Sequence, residues 1–132
     1  MDGLNTRLSA FGPKETMDRL EADVRKKGIA VFARVDHAAG ASEVGMPLRA
    51  TELLIFGNAR VGTPLMQHDQ RIGLDLPLKM LVWQDAAGST FLSYYEPEWL
   101  IGRHGVDDPA NPSLSAMTSV MAVLAKAATA GE

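Results

Sequence analysis

The stretch ELLIFGNARVGTPLMQ, residues 52–67, decides the fold. Residues 53–56 are apolar on both faces, which predicts a strand in the interior of a sheet. Gly57 and Asn58 follow, and both tolerate a positive φ, which suits a chain leaving a strand. Thr63, with a proline after it, then has the chemistry of a helix start and is the predicted N-cap.

Periodic patterns on the N-terminal side predict a strand, a helix and a second strand. Proline is tolerated at the first position of a helix, and glycine favours a helix stop. Alternating apolar and polar residues indicate strands. The predicted elements before the central stretch are a strand at residues 5–10, a helix from Pro13 to Gly28, a strand at residues 29–35 and a short helix or turn at residues 37–42.

The C-terminal side predicts a hairpin and then helices. Two alternating runs separated by a four-residue connection are typical of antiparallel strands. The predicted elements are strands at residues 79–84 and 90–95, a short helix from Pro97, and a final helix that Ser113 caps. The apolar face predicted for this last helix consists of Leu114, Met117, Met121, Leu124 and Ala128. The element order predicts an α+β fold.

Composition limits the classes of function. A chain of 132 residues suits one domain. The net charge is −3, and the basic residues are dispersed, which argues against a nucleic-acid partner. The absence of cysteine excludes disulfides and thiolate sites and fits a reducing cytoplasm. No apolar stretch has the roughly 20 residues of a membrane span, so we expect a soluble cytoplasmic domain without a membrane partner.

Five sequence blocks occur together in one order and spacing. They are DHAA (36–39), ELLIFGN (52–58), GTPLM (62–66), DLPLK (75–79) and YYEP (94–97). On these blocks the chain resembles the DUF302 family of small bacterial and archaeal proteins. The resemblance implies a single domain over residues 1–132 with its core at about residues 5–128. The resemblance implies a TBP-like β-α-β(4)-α fold, with an antiparallel sheet packed against helices, and a homodimer. It supplies no catalytic residue and no cofactor, because the family has no known function. The family has a proline where this chain has Ala59, which would leave the loop less rigid because proline fixes φ.

The first candidate site is a ligand site near the end of the apolar strand. The free N–H groups of a helix start, with Arg60 nearby, can hold a carboxylate or phosphate. Turn chemistry alone also explains the residues of this segment. Glu52 is either a general base with a raised pKa or the ion-pair partner of Arg34 or Arg49. The candidate ligand-binding residues are His37, Glu52, Asn58, Arg60 and Thr63.

The second candidate site uses the histidines. Imidazole and carboxylate are ligands for zinc or iron, and the candidate metal ligands are Asp36, His37, His68 and His104. Because no His-x-His or His-x3-His spacing is present, convergence depends on the fold. Hydrogen bonding at a strand end and exposed loop positions explain the same residues without a metal.

The sequence contains no catalytic motif, which favours a non-catalytic role. The leading hypothesis is a homodimer that binds a small ligand. The alternatives are a metal-assisted enzyme and a pure protein-interaction module. The 7 methionines either line an apolar pocket or pack the core and a dimer interface.

Overall fold

The chain folds into one antiparallel sheet whose connections are mostly helical. The computed structural model describes residues 2–108 and 110–130. In chain order the elements are β1 (Leu4–Leu8), α1 (Pro13–Lys26), β2 (Ala30–Asp36), α2 (His37–Glu43), β3 (Thr51–Gly57), α3 (Ala59–His68), a 3-10 helix (Gln70–Leu74), β4 (Leu78–Gln84), β5 (Thr90–Tyr95), α4 (Pro97–Gly102) and α5 (Pro112–Ala130).

The sheet has the strand order β1-β5-β4-β3-β2, and every neighbouring pair is antiparallel. The α+β class and the antiparallel sheet packed on helices are confirmed. The order is β-α-β(4)-α with three further short helices, α2, α3 and α4. The likeness to TBP itself stays a prediction.

Helices α1 and α5 cover one face of the sheet and form the core with it. Met17 and Leu20 of α1 are fully buried, as are Leu54 and Met80 of the sheet. The predicted apolar face of the last helix is confirmed, and its buried members are Leu114, Met117, Met121, Leu124 and Ala128. In the described part of the chain, α5 is also the one helix long and apolar enough to cross a membrane. Here that apolar face packs in the core.

The predicted N-cap of the central helix is wrong. Helix α3 begins at Ala59, and the side chain of Asn58 accepts a hydrogen bond of 2.9 Å from the backbone N–H of Arg60. Thr63 and Pro64 lie inside the helix. Asparagine is at least as good an N-cap as threonine, so the helix starts directly at the strand exit.

The predicted cap of the last helix is also wrong. Asn111 is the capping residue, because its Oδ1 accepts from the N–H groups of Ser113 and Leu114 at 3.0 and 3.1 Å. The helix begins at Pro112. Proline is favoured at the first helical position, which moves the cap to the residue before it.

Arg34 joins three elements through ion pairs. Its Nε donates to Glu52 at 2.8 Å, and its Nη1 donates to Asp18 at 2.8 Å and Glu21 at 3.1 Å. Burial alone would lower the pKa of Arg34, but the hydrogen bonds to these carboxylates raise it above its ordinary value. Arg34 therefore stays charged and ties β2 to β3 and α1. Glu52 was predicted to be either a general base or an ion-pair partner of Arg34 or Arg49. In the structure it pairs with Arg34.

The sheet face opposite α1 and α5 stays partly exposed, and we call it the open face. Trp83 and Phe91 stack on it with ring centroids 4.9 Å apart. Leu8 is 65% exposed and Val35 is 37% exposed. The apolar side chains of this face, by strand register, are Leu4, Leu8, Ala33, Val35, Leu53, Ile55, Leu81, Trp83, Phe91 and Tyr95.

Replacing Ala59 with proline is expected to stabilise the protein. Ala59 opens α3, where a backbone N–H has no acceptor within the helix. Asn58 is extended, with φ −131° and ψ 115°, which suits a residue before proline. We expect Ala59→Pro to raise the free energy of unfolding by about 0.4–1 kcal/mol in urea denaturation. The control Ala59→Gly should lower it. A lower stability for Ala59→Pro would contradict the helix start described above.

Candidate functional site

A cavity of about 440 Å³ lies where β3 passes into α3. Small-molecule sites in proteins usually have volumes of about 300–1,000 Å³, so this cavity is large enough for a small ligand. Its walls come from α3, α5 and the chain around the ends of β2, β3 and β4. The lining residues are Lys27, Ile29, Phe32, Phe56, Gly57, Asn58, Ala59, Val61, Gly62, Thr63, Met66, Leu76, Pro77, Leu78, Ala116, Met117 and Val120.

The lining changes in polarity from floor to rim. Phe56, Leu78 and Met117 are buried and belong to the core. Asn58 and Thr63 are exposed polar residues, and the Lys27 side chain is 35% exposed. The cavity therefore has an apolar floor and a polar rim next to solvent.

The rim offers hydrogen-bond donors. The Oδ1 atom of Asn58 is occupied by the helix cap, which leaves the two N–H groups of its amide. The Thr63 hydroxyl makes no hydrogen bond to any residue in the described part of the chain. The ammonium of Lys27 has three N–H donors, and its Nζ bonds to Asp23 Oδ1 at 2.7 Å.

Pairing of β2 with β3 brings Lys27 and Asn58 to the same end of the sheet. Ala30 pairs with Gly57 in this antiparallel ladder, so the residues before Ala30 and after Gly57 leave the sheet side by side. Thr63 lies about one helical turn beyond the first residue of α3. The polar rim is thus a consequence of strand register and helix start.

Gly57 has a different role from the predicted one. Neither Gly57 nor Asn58 has a positive φ, so tolerance of a left-handed conformation does not explain the pair. A Cβ atom on Gly57 would approach Pro77 to 3.3 Å and Phe32 to 3.5 Å. Close packing in the cavity wall is the reason for glycine at this position.

The structure does not bring all five predicted ligand-binding residues together. Asn58 and Thr63 line the cavity. Arg60 instead faces a second, more polar cleft between α3 and the start of α5. Glu52 is engaged by Arg34, and it lies six residues before Asn58 along an extended strand, or roughly 20 Å. His37 follows the residue that pairs with Glu52, so it belongs to that same far end.

The predicted metal ligands are also dispersed. Asp36 caps α2 with its side chain, and His37 is exposed on the first turn of that helix. His68 ends α3, whereas the His104 Nε2 atom lies 2.6 Å from an Asp75 carboxylate oxygen. Within residues 2–108 and 110–130, no three His, Asp or Glu side chains form a group that could hold a metal ion.

Sequence reasoning missed Lys27 and most of the apolar lining. By sequence alone, Lys27 belongs to the basic run at the end of α1, which cations favour, and nothing marks it as a site residue. The suggestion that methionines line a pocket applies to Met66 and Met117. Knowing that β2 pairs with β3 would have placed Lys27 near Asn58.

Comparisons with known proteins agree on the family and the fold. A family model described as "Domain of unknown function DUF302" matches residues 5–124. A crystal structure of an uncharacterized conserved protein DUF302 from Bacillus stearothermophilus has a TM-score of 0.76 over 98% of this chain and 97% of that one, at 22% identity. At this identity the likeness concerns the fold alone.

Curated relatives have a different kind of name. The fluoride-specific ion channel FluC 1 of Brucella suis biovar 1 is 44% identical over 117 residues, which are 89% of this chain and 46% of that protein. FluC 1 of Brucella abortus biovar 1 is also 44% identical, over 43% of its length. The chain thus spans less than half of these curated relatives. Because the family model covers most of the chain, this protein belongs to the DUF302 family, a family of unknown function.

Proposed function

We propose that this protein is a non-catalytic cytoplasmic domain that binds a small ligand in the cavity beside α3. The observation that carries the proposal is the apolar cavity with unused donors at its rim. Among the described lining residues there is no carboxylate or imidazole that would serve as a general acid or base. This lining favours binding over catalysis.

Blocking the cavity mouth should abolish ligand binding. Ala116 is an exposed residue of α5 that lines the cavity, and Ser119 is an exposed residue of the same helix that does not. A thermal-shift screen of metabolites should find compounds that stabilise the protein, since a ligand at 100 times its Kd adds about 2.7 kcal/mol. Ala116→Trp should remove this stabilisation and Ser119→Trp should preserve it.

A variant of Asn58 tests the rim in the same screen. Asn58→Asp keeps the oxygen that caps α3 and loses the amide N–H groups, so it should weaken hits without unfolding the helix. A screen without any stabilising compound would contradict the proposed function. Compounds that bind the Ala116→Trp variant and the unchanged protein with equal affinity would contradict the proposed location in the cavity.

The open face supports a homodimer as the functional assembly. Apolar side chains cover this face, and four of them are exposed: Leu4, Leu8, Val35 and Tyr95. We propose that two copies pair through their open faces.

A lysine on the open face should separate the two copies. Leu8→Lys places a charge within the proposed interface and should weaken the dimer at least about tenfold, or about 1.4 kcal/mol, in analytical ultracentrifugation. Leu74→Lys is the control, because Leu74 is 83% exposed and lies on the 3-10 helix. An unchanged dimer in Leu8→Lys, or a monomeric parent protein at all concentrations, would contradict this assembly.

The Brucella relatives favour a second candidate function, that of an accessory domain of a fluoride channel. The chain matches less than half of each relative, and α5, its one span-length helix in the described residues, packs in a core. We propose that the pore lies in the remainder of those proteins. The matched segment would then act on the channel from outside the membrane.

Fluoride efflux from liposomes tests the accessory function. Three preparations are compared: whole Brucella suis FluC 1, the same channel without the segment that matches this chain, and that shortened channel with this chain added. We expect efflux, followed with a fluoride electrode, to change on shortening and to return when the chain is added. Equal rates in all three preparations would contradict this function.

A further inference from the structure

We infer that the cavity takes an amphipathic carboxylate, with its aliphatic chain on the apolar floor and its carboxylate at the rim beside Lys27. The inference rests on the proposed ligand-binding function and adds the chemical class of the ligand. Three properties of the cavity carry it: the apolar floor, the N–H and O–H donors at the rim, and the Lys27 ammonium among them.

The floor accommodates a hydrocarbon chain and no polar group. Phe56 is 1% exposed, and Leu78 and Met117 are also buried. Polar groups placed against this floor would lose their hydrogen bonds to water without replacement. Aliphatic side chains and Met66 make up most of the remaining wall. Methionine adapts its shape readily, which suits a flexible chain better than a rigid polar ring.

The rim matches the head group of an anion. The Asn58 amide keeps both of its N–H donors, whereas its oxygen already accepts the capping bond of α3, and the Thr63 hydroxyl is unengaged within the described residues. A carboxylate is an acceptor for all of these groups. An ammonium head group would meet a like charge at Lys27.

Lys27 supplies the charge that selects a carboxylate over a neutral head. Lys27 forms an ion pair with Asp23, whose Oδ1 accepts a hydrogen bond of 2.7 Å from the ammonium group. The other oxygen of Asp23, Oδ2, is buried and has no hydrogen-bond partner among the described residues. Two ammonium hydrogens therefore remain for a ligand, and hydrogen bonds to a charged acceptor are stronger than neutral ones.

Three probes with the same ten-carbon chain test the inference: decanoate, decanol and decyltrimethylammonium. Each is titrated calorimetrically below its aggregation concentration into the whole protein. Decanoate should bind one per chain and most tightly. Lys27→Gln should weaken decanoate about tenfold, as expected for the loss of a charge-assisted hydrogen bond, and leave decanol unchanged. Lys26→Gln is the control, since Lys26 is the neighbouring exposed cation and does not line the cavity.

The outcomes separate the ligand class from the proposed function. If decanol or the ammonium binds as tightly as decanoate, or if Lys27→Gln leaves decanoate binding unchanged, the inferred class is wrong. The proposed function then still stands on any screening hit that Ala116→Trp excludes. If neither the probes nor the metabolite screen gives a binder, both fail. If decanoate does not bind and Ala116→Trp dissociates a dimer, the cavity is an interface between copies and the inference is overturned.

Discussion

The burial of one sheet face under α1 and α5 is the constraint on which the rest of the structure depends. Fully burying an aliphatic or methionine side chain contributes about 1.5–3 kcal/mol, and Met17, Leu20, Leu54 and Met80 are all fully buried. This packing fixes the distance between the helices and the sheet. Helix α3 closes one end of the layer by inserting Leu65, which is 2% exposed. The space beside α3 that these side chains leave unfilled is the cavity.

Asn58 connects this architecture to the candidate site. Its side-chain oxygen begins α3 directly at the exit of β3, and its amide remains at the cavity rim. The same register that sets the strand exit brings Lys27 alongside. A polar rim over an apolar floor therefore follows from one cap and one strand pairing. The arrangement needs no catalytic group, which agrees with a binding role.

Local patterns predicted most of the fold, because strands and amphipathic helices repeat with periods that the sequence shows directly. The hairpin between β4 and β5 and the apolar face of α5 are examples. The predicted N-caps were wrong because more than one residue near each helix start can act as a cap. Thr63 with its proline is typical of a helix start, but Asn58 precedes it and caps α3. The site was predicted only in part, because a strand of about 20 Å separates Glu52 from Asn58. Lys27 required the β2–β3 pairing, which the sequence pattern does not give.

The central claim is that the cavity beside α3 binds an amphipathic carboxylate with its head at the rim. A crystal structure of the protein with decanoate is the most direct test. We expect one decanoate per chain, with its alkyl chain against Phe56 and Met117 and its carboxylate within hydrogen-bond distance of Lys27 or Asn58. A cavity empty at saturating decanoate, or a carboxylate pointing away from both residues, would contradict it.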